Sequence, residues 1–241
     1  KFFMQDEKKF VSTYQLTELL RKDKNIEPEH FKEQMLKILN VFNDEFISKK
    51  IEYFFKTATK SPQEKVSLTI TDESIMHLFG IAYYALDRRL TLSQFNQPSF
   101  AKKFFNDFKN NNLDLDKCWV ESLDKVKDKM EALKFLPDIK TNKVRIGGYG
   151  KLRSISMTNT LRTSKTFLGL GLYHESENSV PRTCLNLKAD INARNNPVFR
   201  NVHRCSKIIE YRRLPTGTWE KVNQQVFILN KKNKKKAKKK H

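Results

Sequence analysis

His77 is the residue best suited to move a proton. It stands in Ile75-Met76-His77-Leu78-Phe79-Gly80-Ile81, and an unperturbed imidazole titrates at about pH 6.5. Its neighbours belong to the apolar face of a helix, so a packing histidine fits the same pattern. A second set of residues suits phosphate. Lys151, Arg153, Ser154, Ser156, Arg162, Thr163, Ser164 and Lys165 lie close together, and Arg182, Thr183, Lys207, Arg212 and Arg213 follow. Guanidinium forks and hydroxyls donate to phosphate oxygens. In a strand Lys151 and Arg153 would share a face, and a sheet face of cations and hydroxyls could hold a phosphodiester backbone. A solvated face in a lysine-rich chain reads the same way.

Other chemistries are poorly supported. The loop Gly147-Gly148-Tyr149-Gly150-Lys151 has Arg145 where a phosphate-binding P-loop needs glycine, and Leu152 where it needs Ser or Thr. Gly169-Leu170-Gly171 is too short for a dinucleotide fingerprint, and its glycines read as a bulge or a close approach within a strand. Cys184, His203 and Cys205 lack paired zinc-ligand spacing. Asp72-Glu73, Asp114 and Asp116 are explained as helix caps. No metal or cofactor is expected.

The elements that must carry these residues change period midway. Phe31, Met35, Ile38, Leu39, Phe42, Phe46 and Ile47 recur three or four apart, which predicts a helix, and a shorter one precedes it around 15–22. Val66, Leu68 and Ile70 alternate as in a strand. Thr71-Asp72 caps a helix expected over 73–86 that carries His77. Further helices are expected over 97–109 and from 114 or 116 to 135, ended by Pro137. Beyond it come strand patterns at 152–157, 166–173, 183–187, 207–213 and 226–229, with a turn at Pro215-Thr216-Gly217-Thr218. Helices followed by strands predict an α+β fold, N-terminal helices followed by a four- to five-stranded antiparallel sheet. The expected organisation is a helical region 1–60, a domain of helices then antiparallel sheet over 61–230 and a lysine-rich tail 231–241.

Composition narrows the partner. Lys plus Arg total 47 against 27 acidic residues, a net +20. Eight lysines between Lys231 and Lys240 leave +12 on the rest of the chain, so the body itself is basic. That points to a polyanion, with nucleic acid ahead of an anionic membrane surface or an acidic protein. No apolar stretch reaches the roughly 18 residues of a membrane span. The opening Lys1-Phe2-Phe3-Met4-Gln5-Asp6 lacks the apolar run of a signal peptide. Three widely spaced cysteines argue for a reducing compartment, and a cytoplasmic setting is expected.

His77-Leu78-Phe79-Gly80-Ile81 resembles the helical His-Leu-x-Gly-Leu motif of a phage-associated nuclease family in the superfamily of barnase, EndoU, colicin nuclease domains and RelE-like toxins (the BECR fold). Thr163-Ser164-Lys165 leading into an apolar strand, Val180-Pro181-Arg182-Thr183-Cys184-Leu185, and Lys207-Ile208-Ile209-Glu210-Tyr211 follow in the family's order, over about 50–213. Ile81 stands where the motif ends in Leu. The resemblance implies helices packed on a four-stranded antiparallel sheet, and metal-independent RNA cleavage in a toxin or phage-conflict setting. In that chemistry the 2′-oxygen attacks phosphorus and leaves a 2′,3′-cyclic phosphate. It implies His77 as acid or base, Lys165 and Arg182 as phosphate stabilisers, Thr183 or Ser164 as orienting hydroxyls, and Lys151, Arg153 and Arg212 on the flanking backbone. RNA is the expected partner, with a ribosome or an antitoxin or immunity protein as further candidates. Two alternatives stay open at this level: a non-catalytic basic RNA- or DNA-binding protein, and an inactive toxin-like fold acting as a protein-interaction module.

Overall fold

The computed structural model describes residues 10–83, 89–91, 98–163, 167–175 and 178–228. The tail from 229 and the candidates Ser164 and Lys165 lie outside them. The first half runs β1 (Phe10–Ser12), β2 (Tyr14–Gln15), α1 (Leu16–Lys22), α2 (Pro28–Glu45), β3 (Lys49–Phe55), β4 (Glu64–Thr69), α3 (Asp72–Phe79), β5 (Ile81–Tyr83), β6 (Arg89–Thr91) and α4 (Pro98–Lys109). Then come β7 (Cys118–Val120), α5 (Leu123–Leu133), β8 (Val144–Gly147), β9 (Gly150–Leu152), β10 (Ile155–Met157), β11 (Asn159–Thr163), β12 (Leu168–Glu175) and β13 (Asn178–Asn186). The described chain ends with α6 (Ile191–Asn195), α7 (Pro197–Arg200), β14 (Val202–Arg213) and β15 (Trp219–Val226).

The fold is α+β, but not as helices followed by a four- to five-stranded sheet. Eight strands form one sheet in the order β15-β14-β3-β4-β13-β12-β11-β8, and β8 pairs again with β14. That second pairing closes seven of the strands into a barrel, leaving β15 outside on β14. Closure satisfies the backbone groups that open sheet edges would expose. All pairings in it are antiparallel except β13 with β4.

The difference arises at three barrel strands outside the expected strand patterns: β8, β11 and, the longest of them, β3. Its sequence mixes Lys49, Lys50 and Glu52 with apolar residues. Ile51, Tyr53 and Phe55 are buried, and Glu52 is buried too. Glu52 is tolerated because Lys65 and Lys50 stand 3.1 and 3.7 Å away and the Tyr211 hydroxyl donates to it at 3.1 Å. A buried carboxylate is stable only with such partners. β14 then lies between β3 and β8, uniting the two halves of the chain.

The helical pattern of α2 is realised, with Phe31, Met35, Ile38, Leu39 and Phe42 all buried. Phe42 meets Phe79 of α3 at 6.2 Å between ring centroids, Phe79 meets Phe104 of α4 at 6.3 Å, and Phe104 meets Tyr83 at 5.4 Å. Burial of each such ring stabilises by roughly 1.5–3 kcal/mol, so this aromatic chain fixes α3 against its neighbours. The helix expected to reach Leu86 stops at Phe79. Gly80 follows it at φ 73°, the left-handed cap that glycine adopts without a Cβ penalty.

A smaller cluster of Leu152, Met157, Leu187, Ala193, Val198 and Phe199 holds the β9–β10 hairpin and the two short helices α6 and α7 to the barrel wall. Close approach there requires glycine. A Cβ on Gly171 would stand 2.3 Å from Met157 Sδ and 2.7 Å from Thr183 Cγ2. Gly171→Ala should therefore destabilise by about 1–3 kcal/mol, the usual cost of overpacking. Gly148→Ala, where a Cβ meets nothing, should leave the urea midpoint within a few tenths of a molar of the parent; equal effects of the two changes would refute this packing.

Candidate active site

Three pieces of chain meet at His77. The first is α3, whose Ile75, Met76, Leu78 and Phe79 are buried, leaving His77 half-buried in the last turn. Its Nδ1 is closed to solvent and has no hydrogen-bond partner among the described residues. That leaves Nε2 as the nitrogen able to meet a substrate.

The second piece is α5, which packs on both α3 and β13. Lys129 reaches back over the end of α3 and donates from Nζ to the His77 carbonyl oxygen at 3.2 Å. Gly80 makes room for it, since a Cβ there would lie 3.0 Å from Lys129 Cδ. A cation at a helix C-terminus complements the exposed carbonyls. Here it also sits beside the imidazole. Burial first, and then the charge of Lys129, hold the His77 pKa below its usual value. Burial likewise holds the Lys129 ammonium below the ordinary lysine range. At neutral pH the imidazole is therefore uncharged and able to accept a proton.

The third piece is β13. Pro181 cannot donate a ladder hydrogen bond, and within a sheet such a residue sits at an edge or a bulge. β13 is an interior strand, and its pairing with β12 skips from Thr183↔Gly171 to Pro181↔Leu172. Arg182 is the unpaired bulged residue. Bulges re-aim a side chain, and Arg182 is turned outward, stacked on the Tyr173 ring at 4.0 Å and paired with Glu175 at 3.4 Å.

Two clefts flank this point. One of about 720 Å³ is lined by His77, Lys129, Arg153, Arg182, Thr183 and Asp190 among others. A second of about 430 Å³ is lined by Thr71, Glu73, Ser74, His77, Glu175 and Arg182 among others. His77 and Arg182 border both. Thr183 is buried beside Gly171 and opens on the larger cleft.

Of the residues singled out by sequence, the fold gathers His77, Arg182, Thr183 and Arg153. Arg153 does not share a strand face with Lys151. It occupies the hairpin turn at φ 55° and pairs with Asp190 at 2.8 Å. Lys151 lies on β9 opposite Ser156 and lines neither cleft. Arg212 is on the β14–β15 hairpin, paired with Glu220 at 2.7 Å, and is also absent from both clefts. Lys129, Lys125, Glu121, Asp128 and Asp190 line the larger cleft without having been marked by any motif. The one available signal for Lys129 was its place in a helix that had to pack near the histidine.

Cys184 borders the same cleft, but burial pushes its thiol up to about 12. It stays protonated and is no nucleophile. Among the described residues, no group of three or more His, Cys, Asp and Glu side chains is placed to hold a metal ion, and no helix is long and apolar enough to cross a membrane.

The model of the PBECR4 family, described as "phage-Barnase-EndoU-ColicinE5/D-RelE like nuclease4", matches residues 34–240. The chain belongs to this family. No curated protein and no solved structure matched it. PBECR4 membership carries nuclease character and phage association, and with them nucleic acid as the class of substrate. The matched span takes in α2 from Gln34 as well as β3.

The depressed His77 pKa makes a signed prediction. Above about pH 6.5 the imidazole is neutral in folded and unfolded chains, and its contribution to stability is complete. As the pH falls from there through the lower folded pKa, only the unfolded chain takes up the proton, and stability is lost. Denaturant titrations at pH 7.5 and 5.0 should show a smaller loss in His77→Asn than in the parent. Lys129→Met should raise the imidazole pKa in an NMR titration; an unmoved titration curve would remove Lys129 from the electrostatics of the site.

Proposed function

We propose that this chain is a metal-independent ribonuclease that cleaves by attack of the RNA 2′-oxygen on the adjacent phosphorus. The observation that carries the reading is a neutral imidazole, His77, bordering two clefts together with a bulged arginine, Arg182. A scissile phosphate at that border would leave one flanking nucleotide for each cleft.

The chemistry asks for three things. A base must take the 2′ proton, charge building on the phosphate must be stabilised, and the 5′-oxygen must be protonated as it leaves. His77 Nε2 serves as the base. The Arg182 guanidinium and the Lys129 ammonium meet the charge on the phosphate. Lys129, more acidic than an ordinary lysine, supplies the proton to the leaving oxygen. Thr183 orients the phosphate from the floor of the larger cleft, and Arg153 holds the flanking backbone. The products are a 2′,3′-cyclic phosphate and a free 5′-hydroxyl. The phage association of the family fits a role in conflict between phage and host.

Labelled RNA incubated with the protein in excess EDTA should be shortened and should carry cyclic-phosphate ends. His77→Ala should slow the reaction by about 10²–10⁴-fold, the usual contribution of general acid–base catalysis. RNA that is retarded on a gel yet keeps its length would overturn this reading in favour of a binding protein.

A further inference from the structure

Three arginines lie side by side on the barrel wall, away from the clefts. Arg162 of β11 is directly opposite Arg145 of β8, and Arg145 is directly opposite Arg204 of β14. The row thus crosses three adjacent strands. By strand alternation it shares the face of Thr160, whose hydroxyl donates to the Val198 carbonyl oxygen of α7 at 2.5 Å. The row is therefore on the outward face, next to the patch that α7 covers. Neither cleft includes any of the three.

Like charges placed opposite one another across strands are destabilising. Such a row is normally relieved by carboxylates. None is there: the arginine ion pairs among the described residues belong to Arg153, Arg182 and Arg212. Arg145 Nη1 donates to the carbonyl oxygens of Asn142 and Val144 at 2.7 and 2.8 Å, and Arg162 Nη1 to that of Thr163 at 3.2 Å. Arg162 Nε is buried with no hydrogen-bond partner among the described residues. Arg204 is exposed. Burial and the neighbouring guanidinium both hold Arg145 and Arg162 below the usual arginine range. The row thus has an unsatisfied donor and uncompensated charge, which an anion would relieve.

We infer that Arg145, Arg162 and Arg204 form a docking site for consecutive phosphates of a polynucleotide backbone, separate from the cleft that holds His77. Arginine forks match phosphate oxygens bidentately. A polynucleotide is favoured over an acidic polypeptide because the chain belongs to a nuclease family and the three donors are spaced at successive strands rather than gathered on one point. Only this choice of polyanion rests on the nuclease reading.

The test uses a 2′-O-methyl RNA oligonucleotide, which cannot undergo 2′-oxygen attack, so binding is measured whether or not the protein cleaves. Fluorescence anisotropy is followed across a salt series for the parent and for the triple variant Arg145→Gln, Arg162→Gln, Arg204→Gln. Each lost phosphate contact should reduce the log–log salt slope by about 0.7, so the triple variant should lose about 2. Between 50 and 200 mM salt the parent should then lose about 20-fold more affinity than the variant. The melting temperature of the variant should equal or exceed that of the parent, because a row of like charges has been removed. An unchanged slope overturns the site. So does a fall in melting temperature, which would make the row structural. Tighter binding of poly-glutamate than of the oligonucleotide overturns it in favour of an acidic protein partner. A lost slope in a protein that never shortens natural RNA keeps the arginine site and rejects the ribonuclease reading instead.

Discussion

The whole structure turns on the closure of the barrel by β14. That strand pairs along most of its length with β3, and its first residues pair with β8 through Val202↔Gly147, His203↔Ile146 and Arg204↔Arg145. Among the described residues, those three pairs seal the barrel at this seam. Buried Val144, Ile146, Leu161 and Cys205 lie about the seam, and their removal from water favours closure. One of the three pairs sets arginine against arginine. Opposed like charges cost roughly 0.2–1 kcal/mol each, a small penalty beside the apolar burial around it. The barrel can therefore close over an unfavourable pair and keep its charge available.

Closure also determines where the helices go. With β13 fixed between β4 and β12, α3 and α5 pack against it. The break at Pro181 then points Arg182 out beside the end of α3. Two glycines make the fit possible. Gly80 lets Lys129 pass over the helix end, and Gly171 admits Thr183 and Met157 into contact. The electronic state of His77 is a result of this packing. It is neutral because it is half-buried and has a lysine for a neighbour, and neither condition belongs to the helix that bears it.

Much of this was legible in the sequence, and the failures have physical causes. The heptad-like spacing of α2 and the alternation of β4 are local patterns, and they were realised. His77, Arg182 and Thr183 were found through a motif, and the fold brings them together. β3 is not legible from its own pattern, because burial of Glu52 depends on Lys65 and Tyr211, contacts made only once the sheet has formed. Apolar spacing carries the expected helix past Gly80, where the chain ends it instead, and a glycine there is itself a stop signal. Strand alternation would put Lys151 and Arg153 on one face, but β9 ends at Leu152 and Arg153 already belongs to the two-residue turn before β10. Lys129 follows His77 by 52 residues, and nothing in one sequence ties the two.

The distribution of charge separates two tasks that the sequence ran together. The larger cleft is lined by Lys125, Lys129, Arg153 and Arg182, but also by Glu121, Asp128 and Asp190. Lys125 is paired with Glu121, and Arg153 with Asp190. Such a cleft is close to neutral, which suits the positioning of one phosphate and one base more than the capture of a polyanion from solution. Capture needs charge without internal partners, because affinity comes from counterions released when phosphates replace them. The arginine row on the barrel wall has that character, and the cleft that holds His77 does not. In the proposed reading, placing capture and cleavage on different faces lets the imidazole stay uncharged in its cleft. A concentration of unpaired arginines beside His77 would depress its pKa further and make it a weaker base for the 2′ proton of the proposed mechanism.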